Sequence, residues 1–318
     1  MILWLIAAAL AAALWGAASY ARAYTARVEA HWPADGRSVE TAEARLHVRA
    51  LGEAHAPRVL LIHGASANLR ELWGPLAEDL ARDHRVIAFD RPGYGHSTRP
   101  KRDAQKLETQ ARLAAAVLDD CGGGAILVGH SLGAAVALRV AIERPDLVNG
   151  LVLIAPASHP YPGNNAWWAR LAAAPLVGDL FCTLIIPWMG PIAGQAGIAN
   201  NFWPAPVPKG YYEDAGVGLV FRPHAFRASA QDVVATKAEF AAQAPRYPDL
   251  LKPAVIITAE KDKVVSPKRH ARALAADLPA AELVTAPGAG HMPHRLRSDL
   301  VLSAVRRVGS MVAARAEG

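Results

Sequence analysis

Ala125-Ile126-Leu127-Val128-Gly129-His130-Ser131-Leu132-Gly133 decides how the chain folds. The first four residues are apolar, two of them β-branched, and read as a short buried strand. Leu132 to Arg144 is rich in Ala, Val and Leu and stops at Pro145, which reads as a helix. Between the two sits Gly-x-Ser-x-Gly. A turn this tight has no room for side chains at Gly129 and Gly133, and Ala134 and Ala135 keep its surroundings small. Ser131 is thereby lifted out of the sheet at a helix N-terminus, where partial positive charge favours a developing oxyanion. The motif alone is common by chance. The strand before it and the helix after it distinguish it from an ordinary glycine-flanked turn.

Upstream, Ser38 to Thr41 and Ala44 to Ala50 alternate as a strand pair at a sheet edge. Arg58 to Ile62 is a stronger strand running into His63-Gly64-Ala65-Ser66, with a helix expected from about Asn68 to Arg82. Arg85 to Phe89 is the next strand, ending in Asp90-Arg91-Pro92-Gly93-Tyr94-Gly95-His96-Ser97, and Asp103 to Asp119 reads as helix. Gly150 to Ile154 is again a strand. From Ala155 to about Pro248 the alternation breaks into short apolar helices with many prolines and Trp167, Trp168, Trp188 and Trp203, as an inserted helical cap would. The sheet resumes at Ala254 to Thr258, followed by a helix over Pro267 to Asp277, a strand over Glu282 to Thr285 and a last helix from about Arg297. Eight strands alternating with helices imply an α/β fold, a mostly parallel sheet covered on both faces. The expected division is a core over 38–155, a cap over 156–248 and the rest of the core over 249–318.

The chain has 318 residues, of which 52% are hydrophobic and 19% charged, enough to bury a large core. Its net charge of +6 comes without lysine-rich blocks interleaved with aromatics, so no nucleic-acid partner is expected. Cys121 and Cys182 stand far apart, in no redox or ligand spacing, so neither a disulfide framework nor a metal site is implied. No Asn-x-Ser/Thr sequon occurs. Met1 to Ala18 carries no charged side chain, and the first is Arg22. As a helix that run is about 27 Å long, close to the hydrocarbon thickness of a bilayer. The reading is an uncleaved membrane anchor over 1–20 and a polar tether over 21–37 with an interfacial Trp32. Arg22 and Arg27 after the span put the domain in the cytoplasm by the positive-inside rule. The competing reading is a signal peptide cut near Ala21-Arg22-Ala23, followed by export, but a basic n-region is missing.

A serine hydroxyl needs a base to take its proton, and the base needs a third group to hold it. Asp262, in Thr258-Ala259-Glu260-Lys261-Asp262, and His291, in Gly290-His291-Met292-Pro293-His294, both follow late strands. Loops beyond the C-terminal ends of strands are where sites of open α/β sheets assemble. Glu260 is the fallback acid. His291 and His294 form His-x-x-His, but no third metal ligand of matching spacing is evident. His130 reads as a packing residue turned away by the elbow, and Asp90 as a hydrogen-bond acceptor for backbone. The oxyanion needs two backbone N–H donors. Leu132, after the nucleophile, is one; Ala65 is the choice for the other, ahead of Ser66, with His63 orienting that loop.

His63-Gly64-Ala65-Ser66, Asp90-Arg91-Pro92-Gly93-Tyr94-Gly95, Gly129-His130-Ser131-Leu132-Gly133, Asp262 and Gly290-His291 together resemble the α/β-hydrolase superfamily, in its cap-bearing esterase and haloperoxidase-like branch. The resemblance runs from about Ser38 to the C-terminus, and the cap matches only in position. It implies the α/β-hydrolase fold and a triad of Ser131, His291 and Asp262 working without metal or organic cofactor. Haloalkane dehalogenases and epoxide hydrolases look similar but carry an aspartate nucleophile, against which Ser131 argues. The expected activity is hydrolysis of a lipophilic ester or thioester, because the cap holds a nearly uncharged run from Leu180 to Met189 and then Phe202-Trp203. Two rivals remain. One is a lyase or carbon–carbon bond hydrolase on the same triad, helped by Tyr211, Tyr212 or His224; the other is a non-catalytic binding protein.

Overall fold

The computed structural model describes residues 1–317. The chain opens with a 30-residue helix, α1 (Ile2–His31). The sheet starts with β1 (Arg37–Glu40) and β2 (Arg45–Leu51). Then come β3 (Arg58–Ile62), α2 (Pro75–Leu80), β4 (Arg85–Phe89), α3 (Leu107–Asp120), β5 (Ala125–His130), α4 (Leu132–Glu143) and β6 (Val148–Ile154). Between β6 and the next strand lies a helical insertion, called the cap, with α5 (Trp167–Ala173), α6 (Val177–Leu184), α7 (Ile186–Phe202), α8 (Tyr211–Asp214) and α9 (Pro223–Gln243). The core closes with β7 (Ala254–Thr258), α10 (Ala271–Asp277), β8 (Ala281–Thr285), α11 (Pro293–Leu296) and α12 (Ser298–Glu317).

The eight strands lie in the order β1-β2-β4-β3-β5-β6-β7-β8. β2 pairs antiparallel with β1 and β4, and every other pairing is parallel. β5 is central and wholly buried. Its side chains alternate between the two faces. Leu127 joins the core under α3, α4 and α10, while Ile126 and Val128 join the one under α2 and α12. Each fully buried Leu, Ile or Val stabilises the fold by about 1.5–3 kcal/mol. Both layers therefore press on the strand that carries the serine.

Two expectations change. The helix expected from Asn68 to Arg82 is broken: Asn68 caps a short 3₁₀ turn at Leu69–Glu71, Gly74 takes a positive φ of 80°, and α2 begins only at Pro75. The polar tether over 21–37 is instead helical as far as His31. Tyr24, Val28 and Trp32 recur every fourth residue and form one buried stripe, joined in a core cluster with Ile186, Phe202, Tyr211 and Phe221 of the cap. Arg22, just before the stripe, and Arg27, within it, are exposed and made the segment read as polar. The Tyr24 hydroxyl donates to the Gly218 carbonyl at 2.9 Å, and Trp32 Nε1 donates to the Glu213 carbonyl at 3.0 Å.

Candidate active site

The elbow has the geometry that its glycines suggest. A Cβ on Gly129 would come within 2.6 Å of Ala134 Cα, and one on Gly133 within 2.1 Å of the Ile62 carbonyl oxygen. Ser131 itself sits at φ 52° and ψ −117°, a conformation that L side chains rarely adopt. Buried strands and α4 hold it there, so the strain is stored where the side chain must be aimed.

His291 Nε2 lies 3.0 Å from Ser131 Oγ, and His291 Nδ1 lies 2.8 Å from Asp262 Oδ2. The second carboxylate oxygen of Asp262 accepts from the amides of Val264 at 2.8 Å and Val265 at 2.9 Å. Burial pushes the Asp262 carboxyl up, but the facing imidazole and the two amides outweigh it and hold it below the usual carboxylate range. It therefore stays ionised and fixes Nδ1 as the protonated nitrogen, leaving Nε2 free to take the serine proton. Glu260 is exposed and reaches only Arg272.

The helical insertion braces His291. The His291 amide donates to the Asn201 carbonyl at 2.8 Å. A Cβ on Gly290 would fall 2.0 Å from the Trp203 carbonyl oxygen, so only glycine lets the end of α7 approach. Gly64 lies against the serine from the other side, where an added Cβ would stand 3.3 Å from Ser131 Cβ. Around it the amides sort themselves. The Gly64 N–H goes to Glu71 Oε2 at 2.9 Å and the Ser66 N–H to Ser229 Oγ at 2.9 Å. Among the described residues, neither the Ala65 nor the Leu132 amide donates to any protein group. Ser66 is thus already engaged, and the geometry leaves Ala65 and Leu132 as the open donor pair.

Sequence reading missed the supports of this turn. Arg91 is fully buried; its guanidinium donates to the carbonyls of His63 and Gly64, both at 3.0 Å, and to Gln110. It also pairs at 3.0 Å with Asp232 of α9, which takes further bonds from Tyr94 and Arg99. His63 accepts the Arg91 amide at Nε2, and burial pushes its imidazole down to about 4. Asp90 receives the amides of Leu69 and His96, as expected, and also His47 Nδ1 at 2.7 Å.

His130 is more than packing. One ring nitrogen faces Glu71 Oε1 at 3.0 Å and the other faces the His291 carbonyl at 2.9 Å. Both partners are acceptors only, so both nitrogens donate and the ring is an imidazolium. Burial opposes that cation, but the Glu71 carboxylate outweighs it and raises the His130 pKa; Glu71 in turn is held far below its ordinary range. His294 does not approach Ser131. It is buried against the His130 ring at 4.4 Å, with both nitrogens unpartnered. One donor atom each of Glu71, His130 and His294 lie within 4.8 Å of one another, which makes these the residues that could receive a metal. Two of the three are already bonded to each other.

The alpha/beta hydrolase family profile matches residues 59–304. The 2-(acetamidomethylene)succinate hydrolase of Mesorhizobium japonicum is 30% identical over 278 residues, covering 85% of this chain and 93% of that protein. The 2-hydroxymuconate semialdehyde hydrolase of Pseudomonas sp. (strain CF600) is 32% identical over 142 residues, 43% of this chain and 50% of that protein. A thermophilic esterase from Thermogutta terrifontis superposes with a TM-score of 0.69 at 21% identity, covering 87% of this chain and 99% of that one. With a family match across most of its length and a relative aligned nearly end to end, the chain belongs to the alpha/beta hydrolase family.

Proposed function

We propose that this hydrolase cleaves carboxylic ester or thioester bonds of a lipophilic substrate through an acyl-enzyme on Ser131. His291 takes the serine proton and returns it to the leaving group, Asp262 orients His291 and stabilises its cation, and the Leu132 and Ala65 amides receive the oxyanion. Water then deacylates the enzyme. The observation that carries this reading is the unbroken hydrogen-bond line from Ser131 through His291 to Asp262 at the foot of a strained elbow. Ser131→Ala should abolish fluorophosphonate labelling and lower turnover of a short p-nitrophenyl ester by about three orders of magnitude or more, with the fold intact. Labelling retained at another serine would overturn the assignment.

The lipophilic preference rests on the cap. From Leu171 to Pro208 its only charged side chain is Asp179, and the end of α7 touches the His291 loop. Each methylene buried is worth about 0.8 kcal/mol, so specificity constants should rise roughly threefold to fourfold per carbon from acetyl to medium-chain esters. A series in which acetate is best would refute the pocket and leave the triad standing. The similarity to 2-hydroxymuconate semialdehyde hydrolase supports a second reading, carbon–carbon bond hydrolysis on the same residues. Against it, Tyr211, Tyr212 and His224 make no hydrogen bond to the triad: Tyr211 packs on Phe202, Tyr212 on Trp32, and His224 lines a groove with Arg99 and Arg227. We further read α1 as a membrane anchor with the domain on the cytoplasmic side, because its apolar first part makes no buried contact and Arg22 and Arg27 follow it.

A further inference from the structure

Residues 2–16 of α1 are exposed along their whole length, and the fold first covers the helix at Ala17. Along its length it packs on α6, α7 and the 3₁₀ turn at Val217–Phe221. Tyr20 of α1 lies on Trp188 of α7 with ring centroids 4.3 Å apart. Tyr20 comes before Tyr24, which bonds Gly218 in that turn, so seen along α1 from its free end α7 is reached ahead of the turn.

The pair α6 and α7 is apolar on the outside. The two helices meet at a bend of 78°. Across the bend Leu176, Leu180, Trp188 and Ile192 are 79%, 58%, 51% and 67% exposed, with Val177, Ile185 and Met189 exposed among them. Asp179 is the one charge there, and it is paired with Arg227 of α9. The hydrophobic cluster that holds the cap together uses Cys182, Ile186 and Phe202 instead. Apart from Trp188, which meets Tyr20, these outward side chains are surplus to packing, and a group of exposed apolar side chains marks a contact with a membrane or another protein. The place of this patch selects the membrane. Tyr20 and Trp188 meet near the end of the uncharged run, which Arg22 closes. Aromatic rings of this kind collect at the headgroup level of a bilayer. Exposed Arg22 and Arg27 lie one and two turns further along α1, where anionic headgroups would face them.

We propose that α6 and the first half of α7 are a second membrane-binding element, lying in the plane of the bilayer interface beside the point where α1 leaves it, with Leu176, Leu180, Trp188 and Ile192 inserted among the lipids. Interfacial helices bind in this way through an apolar face buried about 5–10 Å into the headgroup and acyl boundary. The occupant of the patch is lipid and not a second protein. The end of α7 carries Asn201, which holds the His291 amide, so the lipid-seated helix leads directly to the base. This inference rests on the anchor reading of α1.

The test uses the full chain in vesicles of phosphatidylcholine with a minority of phosphatidylglycerol. Nitroxide labels are placed singly at Leu180→Cys, Ile192→Cys, Leu10→Cys and Leu251→Cys, in a Cys121→Ser background that retains the buried Cys182. Collision with oxygen, which partitions into lipid, is compared with collision with a water-soluble nickel chelate. The labels at positions 180 and 192 should show a severalfold higher oxygen-to-nickel ratio than the label at 251, an exposed site before β7. A ratio equal to that at 251 overturns the proposal, and so does shielding from both reagents, which would mean that protein covers the patch. The label at position 10 reads the anchor separately: lipid at 10 with water at 180 and 192 leaves the anchor standing and removes only the second element.

Discussion

Glu71 shows how much one buried carboxylate organises. One oxygen holds the Gly64 amide and the other the His130 cation, whose far nitrogen holds the His291 carbonyl. The Gly64 turn, the strand that ends at His130 and the His291 loop thus meet on a single side chain. Removing one partner of a buried ion pair leaves the other uncompensated, at a cost of about 3–5 kcal/mol. Glu71→Gln should therefore lower stability by about that much in urea unfolding, and Glu71→Gln/His130→Gln should cost less than the sum of the two single changes. Strict additivity would show that the pair is not coupled. That Ser131, His291 and Asp262 come together was legible because each stands beside a strand end, in the chain order of the triad proposed above. Glu71 was not, because beyond nearby Gly64 the groups it serves lie 59 positions later at His130 and, through that ring, 220 later at His291, as their residue numbers show. Arg91 and Asp232, 141 apart, were hidden for the same reason.

Among elements, β5, its elbow and α4 were readable from apolar runs and small residues alone, since local sterics dictate them. The second half of α1 was not. A stripe of three buried residues has meaning only when the cap surface that receives it is known. The stripe also decides where the chain can be cut. Removing residues 1–16 deletes only exposed side chains and should leave a folded domain. Removing residues 1–27 takes away Tyr24 and its bond to Gly218, and should cost about 3 kcal/mol more in lost burial and hydrogen bonding. Thermal unfolding of the two truncated forms compares them directly; equal midpoints would mean that α1 rests on the cap without holding it.

Across the whole molecule the histidines set the acid limit of the fold. His270 accepts two amides at Nδ1, those of Ser158 and His159 at 3.1 Å, and burial pushes it down to about 4. His63 is likewise pushed down to about 4, and burial holds His294 well below 6.5. These three refuse protons that the unfolded chain accepts near its ordinary value, so stability must fall as pH drops through that interval. Three such protons give a slope of up to about 4 kcal/mol per pH unit between about pH 6.5 and about pH 4. The raised pKa values of His47 and His130 act at the other end. Their contribution is complete below about pH 6.5 and is lost as pH rises through their folded-state values. Urea midpoints measured down this range should drop steeply on the acid side. A flat profile to pH 4 would mean that the three rings are protonated in the folded state.

The bond from the His291 amide to the Asn201 carbonyl has a temporal side. A substrate that enters by displacing the end of α7 must sever that bond, and with it the brace on the imidazole. With His291 as the proposed base, admission and proton transfer would then take turns: while the door is ajar the imidazole would be loose, and reclosure over the guest would restore the alignment with Ser131. On the proposed mechanism, turnover would then be paced by the latch as well as by the chemistry, and a chain short enough to slip past α7 would escape that wait.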